Sequence, residues 1–390
     1  MILKRWLQDF SLQSVVAGLL ITLVGVTSSA VLVYQAAISA GATTAQAGSW
    51  LGSLALAVGV LSLGLSLWYR APVLIAWSTA GAAMIVTGME GLSLNEAVGA
   101  FMVSSLLILL TGVTGIFDRI MNRIPVPLAS ALLAGVLLHF ALETFAAMKS
   151  QPYLIGAMFV TYVIGKRFFP RVSMLGVLVV AVLLGLSLDL LQLDEFRLTA
   201  TEFSFVAPEF TWRAILNLGA PLFIVTMASQ NLTGVTTMRT FGYQTPVSPI
   251  LTWSGLGNLI IAPFGGFSLN LAAITAAIGM SPEAHPDRER RYMAGVVSGV
   301  LYIFLGLFAG VITSLFAAFP RDMVLAITGL ALLGTVAASL HATLARDEYR
   351  ESAFVAFAVT ASGLTLFGVG SAFWGLVAGI AVQSILNFRR

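Results

Sequence analysis

Fourteen apolar runs follow one another from residue 13 to residue 388, separated by short breaks of charge, proline or glycine. Most reach the roughly 20 residues a helix needs to cross a hydrocarbon core. Their approximate limits are 13–37, 46–68, 72–89, 93–116, 125–147, 152–168 and 172–192, then 211–233, 246–262, 264–280, 292–318, 322–342, 351–367 and 370–388. Apolar residues make up 58% of the chain and charged ones only 9%, more apolar surface than a water-soluble chain can hide. The fold class that follows is an all-α polytopic membrane protein of about 14 transmembrane segments. Lys4 and Arg5 precede the first run as they would in a signal peptide. That run, from about Val15 to Ala37, has the length of a span, so it reads as the first, uncleaved transmembrane helix.

Charge fixes the orientation. Alternating sides across 14 spans, with both termini in the cytoplasm, leaves only Lys149, Arg197, Arg213 and Arg321 of the 20 Lys and Arg on the outer side. One span too many or too few would scramble that partition. The net charge of +3 belongs to the loops and is no nucleic-acid signal. Cysteine is absent, which excludes a disulfide framework and thiolate chemistry. No GxxxxGK[ST] loop is present, which argues against an ATP-driven pump. No cofactor is expected. Glu283, His285 and Asp287 only mimic a metal site, with spacing unlike known ligand sets.

The third and tenth spans are short, and they resemble each other. Ala71–Ala83 reads APVLIAWSTAGAA and Ala262–Ile274 reads APFGGFSLNLAAI. Each starts Ala-Pro, stays uncharged, reaches an aromatic followed by serine, and ends in small residues. Seven spans separate them, an odd number, so the second copy enters from the opposite side and the chain is a 7+7 inverted repeat. Non-helical backbone is tolerated at membrane depth only where it is buried in protein or lines a cavity. Matched interruptions of this kind point to a transporter's substrate site.

The pattern predicts extended stretches at Pro72–Trp77 and Pro263–Phe267, leading into half-helices that start near Ser78-Thr79 and Ser268. Two positive dipole ends would then meet, offering an anion the backbone N–H groups after Ser78 (Thr79, Ala80) and after Ser268 (Leu269, Asn270). Trp77 and Phe267 would present flat faces to a ring. The eighth span adds Ser229, Gln230 and Asn231; its counterpart, the first, carries Ser29 and Tyr34. Buried amides also serve as glue between helices. His139 and Glu143, four apart on one face of the fifth span, stand with Glu90 at the outer end of the third. His139 and Glu90 are the proton-coupling candidates.

Together these residues resemble the benzoate:proton symporter family (BenE) over essentially the whole chain. The most specific pieces are TSSA at Thr27–Ala30, AGATTAQ at Ala40–Gln46, LWYRAPVLIAWSTAGAA at Leu67–Ala83 and LFIVTMASQN at Leu222–Asn231. AAITAAI at Ala272–Ile278, SPEAHPD at Ser281–Asp287 and TASGLTLFGVGSAFWGL at Thr360–Leu376 complete them. The resemblance implies import of benzoate or a similar aromatic carboxylate with protons across a bacterial inner membrane, by alternating access. It also implies the architecture of uracil and sulfate-permease transporters, with a core domain (1–116 and 196–318) and a gate domain (117–195 and 319–390). Glycine-rich interfaces would let one slide on the other. The expected partners are a small aromatic carboxylate, protons and the bilayer; the resemblance allows a homodimer, and no span requires one.

One departure stands out. Uracil-type relatives carry carboxylates in the eighth and tenth spans, where this chain offers Gln230, Asn231 and Asn270. Removing those charges suits an anionic substrate. It leaves the coupled proton to His139 or Glu90, or to an acid that crosses in its neutral form. The rival readings are a carrier for another small anion or a nucleobase, and an uncoupled anion channel. A membrane-embedded enzyme would need a nucleophile–base pair or metal cluster at depth, and none is evident.

Overall fold

The computed structural model describes residues 9–117, 125–170, 172–192, 194, 198–366 and 371–387, and of Ser229, Thr240, Ile274 and Asn387 the backbone alone. Lys4, Arg5, Arg119, Arg123, Arg171, Arg197, Arg389 and Arg390, used above to orient the chain, lie outside the described residues, as do Phe367–Gly370 of the last motif.

The element boundaries follow local chemistry. Helix α1 (Leu12–Ser39) is capped by Ser11, whose Oγ accepts the Ser14 N–H at 3.1 Å. Helix α2 (Thr44–Tyr69) opens on a capping box of Thr43 and Gln46, and ends at Arg70 with φ 49°, two residues before Pro72. Strand β1 (Ile75–Trp77) and the half-helix α3 (Thr79–Gly88) follow. A second capping box, Ser93 with Glu96, starts α4 (Leu94–Thr114), which stops at Gly115 in the left-handed region. Helices α5 (Val126–Ala147) and α6 (Pro152–Phe168) carry proline in the first turn, where a missing N–H costs nothing. Helix α7 (Ser173–Ser187) closes the first half.

The second half contains α8 (Trp212–Arg239), α9 (Val247–Ile261), strand β2 (Leu269–Leu271) and the half-helix α10 (Ile274–Met280). It continues through α11 (Tyr292–Leu307), α12 (Ala309–Ala317), α13 (Arg321–Leu344), α14 (Arg350–Ala361) and α15 (Ser371–Asn387). The apolar runs of the sequence map onto these elements one for one. The third is β1 with α3, the tenth β2 with α10, and the eleventh is α11 with α12, bent by 61°. Thr201 braces that bend. Its N–H donates to Leu307 O at 2.8 Å and its hydroxyl to Gly306 O at 2.7 Å, while Ala309 N–H donates to its Oγ1 at 2.8 Å.

Packing sorts the helices into two sets. In one, α2 lies along α11, α4 along α9, and α1 against α3, α10 and α11; in the other, α5 lies along α13 and α14, α14 along α15, and α6 along α7. Exchanging the halves maps these pairs onto one another, α2 with α11 onto α9 with α4, as an inverted repeat requires. Glycines bring backbones into contact inside each set. A Cβ at Gly59 would lie 2.6 Å from Gly299 O, and one at Gly306 2.8 Å from Leu56 N. Among the described residues no close glycine approach joins one set to the other. The closest glycine approaches thus lie inside each set, while Gly88, Gly135 and Gly363 line the cavity between them. The sets meet where α1, α3 and α8 face α5, α7, α13 and α15.

Candidate functional site

The two broken spans join through their extended stretches. Strands β1 and β2 pair antiparallel, Ile75 opposite Leu271, Ala76 opposite Asn270 and Trp77 opposite Leu269. Ser78 N–H donates to Ser268 O at 3.0 Å and Ala272 N–H to Leu74 O at 2.9 Å, closing both ends. Three strand residues span about 10 Å. Since α3 leaves one end of the pair and α10 the other, the two helix N-termini bracket the strands with their positive ends turned toward them.

The two copies are not equivalent in detail. Ser78 is a true N-cap, fully buried, its Oγ accepting the Gly81 N–H at 2.9 Å. The N–H groups of Thr79 and Ala80, in the first turn, have no acceptor within their own helix. Ser268 lies before β2 and caps nothing; its hydroxyl shares a 2.8 Å hydrogen bond with Thr226. Leu269 and Asn270 are strand residues, and α10 begins at Ile274 after Ala273, without a side-chain cap. The local two-fold through Ala76 and Asn270 equates Trp77 with Leu271 and Ser78 with Ala272. The offset arises upstream: Pro263 continues α9 into a 3₁₀ turn (Ala262–Phe264), and Gly265 at φ 91° turns the chain where any side chain would strike Trp50.

The aromatic faces are also occupied. Trp77 Nε1–H donates to Ser29 Oγ at 2.8 Å, the Ser29 hydroxyl donates to Gly25 O at 2.8 Å, and the indole meets Tyr302 edge-on at 5.6 Å. Phe267 packs in a separate cluster, 6.2 Å from Trp50 and 6.1 Å from Phe101 between ring centroids. The structure therefore does not bring Trp77 and Phe267 to one point.

Helix α8 reaches the strands through a change of pitch. It contains π-turns at Ile215–Gly219 and Thr226–Asn231, on either side of Pro221, whose missing N–H disturbs the ordinary ladder. An i→i+5 ladder stacks residues five apart, so Thr226 and Asn231 share a face. Asn231 Oδ1 accepts the Leu271 N–H at 2.9 Å, on the edge of β2 away from β1, and Thr226 holds Ser268. Both polar groups are thus spent on holding β2. Gln230 is half-buried beside them; the side chain of Ser229 lies outside the described residues. Asn270 Nδ2 donates to Leu271 O at 2.9 Å, and its buried Oδ1 has no partner among the described residues.

Tyr34, Glu90 and His139 come together elsewhere. They line a 730 Å³ cavity at the end of the molecule where α1 and α3 finish, between the two helix sets. Tyr34 is five residues beyond Ser29, about 7.5 Å along α1. His139 Nε2 lies 3.1 Å from Glu143 Oε1, and Arg213 Nη2 donates to Glu90 O at 3.5 Å. Thr328 hydroxyl donates to Gln35 Oε1 at 3.1 Å, a hydrogen bond from one helix set to the other. Reading the sequence missed Thr226, Tyr302 and the Gln35–Thr328 bond; Pro221 inside the eighth span was the one local sign of the pitch change. Among the described residues no cluster of His, Asp and Glu fits a metal ion, and His285 Nδ1 instead accepts the Asp287 N–H at 3.0 Å.

Known proteins resemble this chain in sequence and in fold. A family model described as benzoate membrane transport protein matches residues 8–385. The chain is 46% identical over 374 residues to inner membrane protein YdcO of Escherichia coli, covering 96% of each chain. It is 36% identical over 385 residues to the benzoate membrane transport protein of Acinetobacter baylyi, covering 99% of this chain and 98% of that one. The fold is that of the transmembrane domain of a cyanobacterium bicarbonate transporter, BicA, with TM-score 0.65, 14% identity, and 95% and 97% of the two chains covered. SLC26A9 superposes with TM-score 0.64 and 11% identity over 98% of this chain and 66% of its own. Fourteen apolar segments, two broken spans paired at their strands and a family match along nearly the whole chain lead to one conclusion: this chain belongs to the benzoate membrane transport protein family.

Proposed function

We propose that the protein imports benzoate or a similar aromatic carboxylate with protons across a bacterial inner membrane, with both termini in the cytoplasm. The observation that carries this reading is the strand pair bracketed by two half-helix N-termini. The carboxylate sits against the first-turn N–H groups of Thr79 and Ala80 and the start of α10, with Gln230 as side-chain donor. None of Gln230, Asn231 and Asn270 carries charge, so nothing on them repels an anion. The substrate class comes from the relative of Acinetobacter baylyi named as a benzoate membrane transport protein.

Transport proceeds by alternating access. Helices α1–α4 with α8–α12 move as a core (1–116 and 196–318) against a gate of α5–α7 with α13–α15 (117–195 and 319–390). Close glycine contacts confined within each set favour two rigid bodies. His139, 3.1 Å from Glu143 on the gate, and Glu90 on the facing rim of the core are the candidates for the coupled proton.

Uptake of radiolabelled benzoate into proteoliposomes, with and without an inward proton gradient, tests the reading against empty vesicles. Saturable, gradient-driven uptake is the expected result. Uptake competed by uracil, sulfate or bicarbonate but not by substituted benzoates would replace the substrate class. Conductance without saturation would replace the carrier by a channel.

A further inference from the structure

The 730 Å³ cavity contains a second, unassigned set of groups suited to an aromatic acid. Besides Tyr34, its described lining carries four ionisable residues: Glu90, His139, Glu143 and Arg321. Glu143 is engaged by His139 at 3.1 Å, and Glu90 lies where Arg213 meets its backbone. Arg321, exposed in the first turn of α13, makes no ion pair with a described residue; its neighbour Asp322 takes the Ser150 hydroxyl at 2.7 Å instead. Among the described residues Arg321 is thus the cavity's only permanent cation. One wall is aromatic and continuous. Tyr34 and Phe316 lie 6.0 Å apart, and Phe316 and Phe319 5.8 Å apart, between ring centroids.

We propose that this cavity is a capture site for a single-ring carboxylate, separate from the backbone site at the strands. Arg321 pairs with the carboxylate, and the Tyr34–Phe316–Phe319 wall packs against the ring. A planar guanidinium fits a carboxylate with two parallel N–H donors, and an aromatic wall rewards a ring over an aliphatic chain. The volume suits ligands larger than one ring, so binding here is weak and fast. Arg321 attracts the carboxylate at short range, in a lining that also holds two carboxylates of its own, Glu90 and Glu143. The proposal rests on the aromatic-acid reading of the transport function.

The test uses the chain's natural lack of cysteine. Ser39 lines the same cavity and is exposed, so Ser39→Cys supplies a single thiol for a polar maleimide on purified protein in nanodiscs. Benzoate is expected to slow labelling saturably, and acetate is not. Adding Arg321→Gln should raise the half-protecting benzoate concentration roughly tenfold, the effect of losing one charge-assisted bond. Arg321→Lys, which keeps the charge, should recover most of the protection. Unchanged protection in Arg321→Gln, or equal protection by acetate, overturns the site, as does a Lys variant no better than Gln. Labelling needs no transport, so the two readings fail separately. Protection without any uptake keeps the cavity site and removes the transport reading; uptake without protection does the reverse.

Discussion

The backbone N–H of Leu271 donates to Asn231 Oδ1 at 2.9 Å, so a helix side chain supplies the partner that a third strand would otherwise provide. A two-stranded ribbon at membrane depth has unpaired edges, and an unmet N–H there is costly. Asn231→Ala is expected to leave the buried Leu271 N–H open and cost about 1–3 kcal/mol. A clear loss of melting temperature in detergent checks this. Asn231→Asp keeps the acceptor; the folded fraction of this variant should lose benzoate uptake, because it places a negative charge beside the site. Full uptake by the Asp variant would argue that no anion passes the strand pair.

Trp77 and Ser29 form a second buried unit. Ser29→Ala leaves the indole N–H without its 2.8 Å acceptor and should cost about 1–3 kcal/mol. Trp77→Phe removes the donor and retains an edge-on ring against Tyr302. Adding Ser29→Ala to Trp77→Phe should then cost less than the same change in the native chain. Additive losses in this double-mutant cycle would show that the hydrogen bond contributes nothing.

Gly59 and Gly64 share helix α2 and differ in surroundings. A Cβ at Gly59 meets Gly299 O at 2.6 Å, whereas one at Gly64 meets nothing within 4 Å. Gly59→Ala should destabilise by about 1–3 kcal/mol as the backbones are forced apart, and Gly64→Ala should be neutral or mildly stabilising. Thermal melting of the two variants side by side gives the answer.

The Gln35–Thr328 hydrogen bond spans the proposed boundary between core and gate. In the cysteine-free chain, Gln35→Cys with Thr328→Cys can be bridged by a short bifunctional thiol reagent. Bridged protein should lose uptake, and each single variant treated alike should keep it. Undiminished uptake by the bridged protein would remove relative motion of the two helix sets from the mechanism.

Much of this protein was written locally. Span length and hydropathy determined fourteen apolar segments, and the short third and tenth runs marked where helices break. Ser78 is the N-cap its sequence promised, because a cap needs only its own next turn. The match of Trp77-Ser78 with Phe267-Ser268 did not predict equivalence in space. A shared pattern of residue types carries no strand register. Register was decided by partners far along the chain: Ala76 against Asn270, the Gly265 turn seated on Trp50, and Thr226 with Asn231 gripping β2. The same holds for the polar groups. Sequence named Asn231 and Ser268 as available to a ligand, and only tertiary packing showed them already committed to backbone and to Thr226. In a bilayer every buried polar group must find a partner, and which partner it finds depends on where distant segments come to rest.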